Sequence, residues 1–240
     1  MAHDPVPGSG EPRPVEGRNI LREWPAWLIL AALWAGSLLA EPHLPARVPI
    51  HWGFHGEVNG WNTPWEAAWQ LPALATGMYG FILLMDWGGL DFRAARRMAP
   101  GTTRQMRLLV LALMAGVQAV ILGSALRGST PGDGLLLAIL SLFLVLLGNL
   151  MPRLEPNAWI GIRIPPTLEN REIWKRTHRM TGRWLVMTGL LGLPLSLVPW
   201  TSLHFVLLAL ILVPLGAGIV YAYVLRHRIA AGGILPPEAR

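Results

Sequence analysis

The chain has 240 residues, 52% of them hydrophobic and only 14% charged, with a net charge of +6 and no cysteine. An average soluble domain carries about 25% charged residues, so this composition, with a mean hydropathy of +0.41, excludes an ordinary soluble domain. The lack of thiols excludes disulfides, thiolate nucleophiles and Cys-ligated zinc or iron–sulfur centres. The basic residues stand at the ends of apolar blocks, where they set topology and meet anionic lipid rather than nucleic acid.

Residues 1–19 are rich in Pro and Gly, have no hydrophobic period and read as a disordered tail. Asp4, Glu11, Glu16 and Glu23 precede the first apolar block, and LLAEP after it is a poor cleavage site, so that block reads as an uncleaved span. A bilayer core of about 30 Å needs roughly 17–25 predominantly apolar helical residues. Six blocks meet that length, at Trp24–Ala40, Ala67–Trp87, Arg107–Leu126, Gly134–Met151, Trp184–Trp200 and Leu203–Leu225. Helices satisfy their own backbone in lipid. The expected fold is therefore an all-α membrane bundle of six transmembrane helices, with an extracellular hairpin-like loop and a cytoplasmic amphipathic helix.

The Lys and Arg distribution sets the expected orientation. Arg13, Arg18 and Arg22, the five from Arg93 to Arg107, the seven from Arg153 to Arg183, and Arg226, Arg228 and Arg240 fall on one side. Only Arg47 and Arg127 fall on the other. Both termini are expected in the cytoplasm. The chain divides into a tail (1–19), a two-span region (20–106) with an outer loop 41–66, a four-span region (107–226) with a cytoplasmic loop 152–183, and a second tail (227–240).

In the outer loop, RVPIHW and EVNGW are β-prone pieces flanking Gly53 and Gly56, and Asn59-Gly60 is a turn signal. His43, His51 and His55 with Glu57 raise a metal reading, since imidazole and carboxylate ligate zinc. Pro49, Gly53 and Gly56 break the helix that would give His51 and His55 a shared face, so no metal site and no cofactor is assigned.

Within the spans, Gln70, Gln118, Ser124, Ser141, Ser196 and His204 are the polar groups, and Asp86 lies near the inner end of the second. Gln70 and Gln118 read as interhelical hydrogen-bond formers. Glycine pairs Gly77/Gly80 and Gly189/Gly192 permit close helix approach. Neither an HExxH motif nor a phosphate-cradling Gly loop occurs. The chain is expected not to be an enzyme.

The cytoplasmic loop has two halves. Pro152, Pro156, Pro165 and Pro166 forbid a continuous helix, and Gly161 permits a sharp turn. From Thr167, read as an N-cap, an amphipathic helix is predicted. Glu172 should pair with Lys175 and Arg176. Ile173, Thr177, Met180 and Trp184 share one face, and Arg176, Arg179 and Arg183 another. By periodicity the segment is an interfacial connector; alternatively Asn157, Arg163, Glu169, Asn170, Trp174 and His178 build a folded site. His178 stands among cations that disfavour its protonated form.

The stretch NLMPRLEPNAWIGIRIPPTLENREIWKRTHRMTG resembles the signature of the SdpI family of membrane proteins. There a span ends in G-N and is followed by P-N-x-x-x-G-I-R-T-P-W-T-L and W-x-x-T-H-R-x-x-G. Gly148, Asn149, Pro156, Asn157, Gly161, Ile162, Arg163, Pro165, Thr167, Leu168, Trp174, Thr177, His178, Arg179 and Gly182 match. Ile164 and Pro166 depart, standing where Thr and Trp are usual. The outer loop resembles a short uncharacterised domain that often precedes that region, through Leu44, Pro45, Val48, Pro49, Ile50, His51, Gly56, Gly60 and Trp61.

The resemblance implies a multi-pass protein of the bacterial inner membrane that gives immunity to a secreted toxic peptide, and signals by holding a cytoplasmic repressor at the membrane. It assigns Asn149, Asn157, Gly161, Arg163, Pro165, Thr167, Leu168, Trp174, His178 and Arg179 to a partner-facing or functional loop. Pro49, His51, Gly56, Gly60 and Trp61 fall to the outer loop. Two other readings stand beside it: a small-solute transporter or permeability factor gated by the Arg163 loop, and a membrane enzyme using His178 and Glu169 or the outer histidines.

Overall fold

The computed structural model describes residues 20–53, 57–86, 101–128, 133–157, 160–198 and 203–232. The elements in order are α1 (Trp24–Ala40), β1 (Val48–Trp52), β2 (Val58–Asn62), α2 (Pro64–Asp86), α3 (Thr102–Leu126), α4 (Asp133–Leu150), α5 (Pro165–Glu169), α6 (Arg171–Leu195) and α7 (Leu203–Ala230). Short 3₁₀ turns precede α1 at Ile20–Glu23 and follow α1 and α4 at Glu41–His43 and Met151–Arg153.

Among the described residues, five segments are long and apolar enough to cross a membrane: Leu21–His43, Pro64–Leu84, Thr102–Leu126, Gly134–Arg153 and Phe205–Ala230. Their outward faces carry exposed Leu28, Leu38, Leu84, Leu142 and Val220, apolar surface that water would penalise and lipid does not. The chain is a predominantly helical, multi-pass membrane protein. The fifth expected span differs. Its helix is α6, which runs from Arg171 to Leu195 rather than from Trp184 to Trp200. Arg171, Lys175, Arg176, Arg179 and Arg183 in its first half take it out of the apolar class.

Other boundaries move for identifiable reasons. α2 starts three residues before Ala67 because Thr63 and Glu66 form a capping box. Thr63 N–H and Oγ1 donate to Glu66 Oε2 at 2.9 and 2.8 Å, and Glu66 N–H donates back to Thr63 Oγ1 at 3.3 Å. α3 starts at Thr102, after Gly101 with φ 80°, and α7 continues past Leu225 through Arg226 and Arg228. The Pro/Gly-rich tail 1–19 lies outside the described residues.

α1, α2 and α3 pack through Leu30, Leu33, Ala75, Tyr79 and Leu111. α4, α6 and α7 pack through Leu137, Leu144, Trp174, Leu185 and Leu210. α3 and α4 join the two halves at Met106, Leu109 and Leu150. Pro72 lacks the N–H that would bond the Ala68 carbonyl one turn earlier. The buried Gln118 fills the gap: its Nε2 donates to Ala68 O at 3.1 Å, with Ala67 O and Ser37 Oγ each at 3.0 Å. One amide thus ties α1, α2 and α3. Asn62 Nδ2 donates to Gln70 Oε1 at 2.9 Å, so the other glutamine tethers the hairpin.

Gly182 faces Gly148, and Gly189 faces Ser141, so α4 and α6 run antiparallel in close contact. A Cβ on Gly182 would stand 2.6 Å from Gly148 O, and one on Gly189 2.6 Å from Ser141 O. Gly77 and Gly80, expected in the same role, meet nothing within 4 Å.

β1 and β2 pair antiparallel, with register irregularities around His51. Asn59 and Gly60 lie inside β2, not in a turn. Gly60 is needed there because a Cβ would stand 2.7 Å from His51 Cβ across the pair. Val48 is fully buried against Ala67 and Ala125, which seats the hairpin on α2 and α3.

Candidate functional site

At the end of the bundle where Ile20 and Gly232 lie, residues 151–157 and 160–170 fold into a cap over the first half of α6. Asn157, 5% exposed, staples the first turn of this cap. Its Nδ2 donates to Glu155 O at 2.9 Å and Ile160 O at 3.0 Å, and its Oδ1 accepts from Ile160 N–H at 2.8 Å. Such a triple use of one amide fixes a turn that prolines alone would leave open.

The cap is then bolted to α6 by two residues one helical turn apart. Trp174 is fully buried, and its Nε1–H donates to Leu154 O at 2.7 Å. Its ring stacks on His178 with centroids 4.1 Å apart and planes 20° from parallel. His178 is also fully buried. Its Nε2 lies 3.0 Å from Ile162 N–H, a group that can only donate, so Nε2 carries no proton. Nδ1–H therefore donates to Trp174 O at 2.9 Å. Burial pushes the imidazole pKa down to about 4, against a smaller upward pull from the Trp174 carbonyl. The cause is burial, not the neighbouring cations the sequence points to.

Gly161, at φ +123°, is the residue that lets the chain reach this ring, since a Cβ there would collide with His178 Nε2 and lie 3.2 Å from Trp174 Cζ2. No L side chain suits either the backbone or the space. Thr167 Oγ1 lies 2.7 Å from Ile162 O and accepts from Ile164 N–H at 3.2 Å, closing α5 against the same strand of cap. Thr167 is thus internal to α5. The N-cap of α6 is Asn170, whose Oδ1 accepts from Glu172 N–H at 2.8 Å and Ile173 N–H at 3.1 Å.

The buried face of α6 is also shifted from the expected one. Ile173 and Thr177 are inside, but Trp174, His178, Thr181 and Leu185 join them, whereas Trp184 is 42% exposed. The expected Glu172–Arg176 pair is present, with Nε 2.6 Å from Oε1. Glu155–Arg171 and Glu169–Arg226 pairs tie the cap to α6 and α7 at 2.7 and 3.3 Å. The hydroxyls of Thr177 and Thr181 are buried without a hydrogen-bond partner among the described residues.

The residues singled out in this loop therefore separate. Asn157, Gly161, Thr167, Trp174 and His178 come together as the frame. Arg163, Pro165 and Leu168 are exposed on the outside of the cap, and Arg163 has no hydrogen-bond or ion-pair partner among the described residues. Asn149 is exposed on the last turn of α4, apart from the frame, and Arg179 is half-buried on the far side of α6. Of the two departures from the family pattern, Pro166 is buried in α5, and the Ile164 side chain packs among Ile173, Ala222 and Leu225.

In the hairpin, Pro49 pairs with Trp61 and His51 with Gly60. His51 Nδ1 bonds Asn59 Oδ1, and His43 Nδ1 lies 3.2 Å from Leu39 O. Trp61 is 47% exposed, with the Arg47 guanidinium 6.0 Å from its ring centre. Gly56 and His55 lie outside the described residues. Among the described residues no three His, Cys, Asp or Glu side chains gather as a metal site.

Sequence reasoning missed a buried ion pair. Arg107 Nη2 lies 2.7 Å from Glu23 Oε1, and Tyr79 Oη–H donates to Glu23 Oε2 at 3.2 Å. The signal was there: an acid immediately before one apolar block and a base opening another, on the same side.

Comparison with known proteins agrees with the cap motif. Residues 153–222 match the SdpI/YfhL protein family. Residues 28–76 match a domain of unknown function (DUF1648), which takes in most of α1, the hairpin and half of α2. The chain is similar to the Immunity protein SdpI of Bacillus subtilis (strain 168), with 30% identity over 82 residues, 34% of this chain and 40% of that protein. The match spans about two-fifths of that relative's own length. No solved structure matches the chain. The SdpI-like region begins at Arg153, where the cap begins, and ends in α7 beside the residues that Ile173 packs against.

Proposed function

We propose that this chain is a six-crossing membrane immunity protein, with α6 as the fifth crossing and both termini in the cytoplasm. It protects its cell from a secreted toxic peptide that arrives at the hairpin side. The exposed edge of the cap, Arg163 with Pro165 and Leu168, is its contact for a cytoplasmic repressor. The observation that carries this reading is the division of labour in the SdpI-like region. Its buried motif residues build a rigid frame on α6, and that frame holds a cation and an exposed leucine out to solvent. A guanidinium beside an apolar side chain is a common anchor in protein interfaces. The similarity to an immunity protein supplies the biological direction, and the 18-to-2 division of Lys and Arg supports the orientation.

The test is survival. A Bacillus subtilis strain lacking Immunity protein SdpI is plated beside its toxin-producing parent, with and without this chain. Protection by the wild-type chain is the expected result. Arg163→Ala and Leu168→Ala should accumulate in the membrane at wild-type levels and still protect if the cap edge serves only signalling, but lose membrane capture of a repressor. Failure of the wild-type chain to protect while it accumulates in the membrane would sink the immunity reading for that peptide.

A further inference from the structure

We propose that α3 couples the hairpin to the cap, so that loosening the seat of the hairpin loosens the cap on α6. This rests on the proposed function, in which the hairpin faces outward and the cap faces the cytoplasm, and names the element that regulates the cap edge.

Three observations on one helix carry it. At the outer end, Val48 is fully buried in a cluster with Ala67 and Ala125, and Ile121 of α3 packs against it. At the inner end two cap residues lie on α3. Ile160 packs against the cluster of Met106, Leu109 and Leu150, and Arg153 Nη1–H donates to Gln105 Oε1 at 3.1 Å. In the middle, Gln118 holds α3 to α1 and α2 through Ser37 Oγ, Ala67 O and Ala68 O. Held at its middle and engaged at both ends, α3 cannot change its packing at one end alone.

Ile160 is a telling point of contact. Asn157 bonds both its N–H and its carbonyl, Gly161 follows, and Ile162 N–H is the group that His178 Nε2 accepts. Arg163, the exposed cation of the cap edge, comes next. A shift of Ile160 therefore meets the imidazole two residues on and Arg163 three residues on. The helix itself is suited to the task, because packed side chains and rigid elements are what carry coupling between sites. α2, α6 and α7 each contain an interior proline, Pro72, Pro194 and Pro214, where a backbone bond is missing and a helix bends. The 25 residues of α3 contain none.

The experiment needs neither a toxic peptide nor a repressor, so its failure and a failure of the immunity reading are separate results. The full chain in a neutral maltoside detergent is followed by hydrogen–deuterium exchange and mass spectrometry, at the peptide that carries the Ile160 and Ile162 amides. Val48→Ala empties the hairpin seat without touching the cap. It should speed exchange at that peptide about fivefold, the low end of ordinary coupling between distant sites, and leave α7 around Leu210 unchanged. In a chain that also carries Gln105→Ala and Ile160→Ala, which part α3 from the cap, Val48→Ala should add nothing. If Val48→Ala does not accumulate, Val48→Thr takes its place, keeping the shape of the side chain and setting a hydroxyl in the apolar seat. No change at the cap would overturn the proposal. A change that survives Gln105→Ala/Ile160→Ala would overturn it too, since the route would then lie elsewhere. So would an equal change around Leu210, which is a loss of overall stability and not a link between two places.

Discussion

His178 shows how one side chain converts a local pattern into a fold. On a helix, Trp174 and His178 share a face by spacing alone, but the face expected from the apolar pattern ran through Ile173, Thr177, Met180 and Trp184 and did not pair them. The third partner, the Ile162 N–H, was not legible either, because it comes from a Pro-broken loop whose path no local rule predicts. Its consequence is a pH dependence. The folded pKa, about 4, lies below the ordinary value of 6.5. Between those values the unfolded chain binds a proton that the folded chain refuses, so stability is full above about pH 6.5 and falls as the pH drops toward 4. The slope reaches at most about 1.4 kcal/mol per pH unit. Protonation also puts a second donor against the Ile162 N–H. Melting followed from pH 8 to pH 4 in detergent should show this decline in the wild-type chain, and His178→Gln should flatten it. Identical profiles would mean that the imidazole does not bind the cap to the helix.

Among the elements, apolar block length was enough to find α1, α2, α3, α4 and α7, because in lipid the solvent itself selects the helix. It failed where local chemistry overrides greasiness. The Thr63–Glu66 box starts α2 before the apolar block begins, and Asn170 beats Thr167 as the cap of α6 because Pro165 and Pro166 have already started a separate short turn. α6 was only half legible: five cations hide its continuity, and what holds it is the glycine seam with α4. That seam gives the next prediction. Gly182→Leu would drive a side chain into the Gly148 carbonyl and part the two helices, and should cost about 3 kcal/mol, the upper end of the usual range for overpacking, read as lost membrane accumulation and a lower melting temperature. Gly77→Leu, at a glycine with open space around it, should be tolerated. If both behave alike, backbone contact is not what pairs α4 with α6.

Across the whole molecule, two three-helix groups meet along α3 and α4, and the first is closed by the Glu23–Arg107 pair. Both side chains are at least nine-tenths buried, so each partner is stable there only because of the other. Arg107→Ala or Glu23→Ala should each destabilise by about 3–5 kcal/mol, whereas Glu23→Gln/Arg107→Met should recover most of that loss. Chemical denaturation in detergent decides it. Equal damage from the single and double changes would show that packing at this point matters more than the charges.

α3 is also a lever. One end is pressed by the hairpin through Ala125 and Val48, and the other reaches the cap, where Arg153 Nη1–H donates to Gln105 Oε1 at 3.1 Å. Its 25 residues make an arm of about 38 Å. Pivoting by about five degrees around the Gln118 cluster would shift the Ala125 end by roughly 0.9 Å one way and the Gln105 end by roughly 1.7 Å the other. That is half a hydrogen bond's length, enough to make or break the Gln105–Arg153 contact. A push on the hairpin would thus arrive at the cap as a sideways step, with no ion or solute having to cross between them.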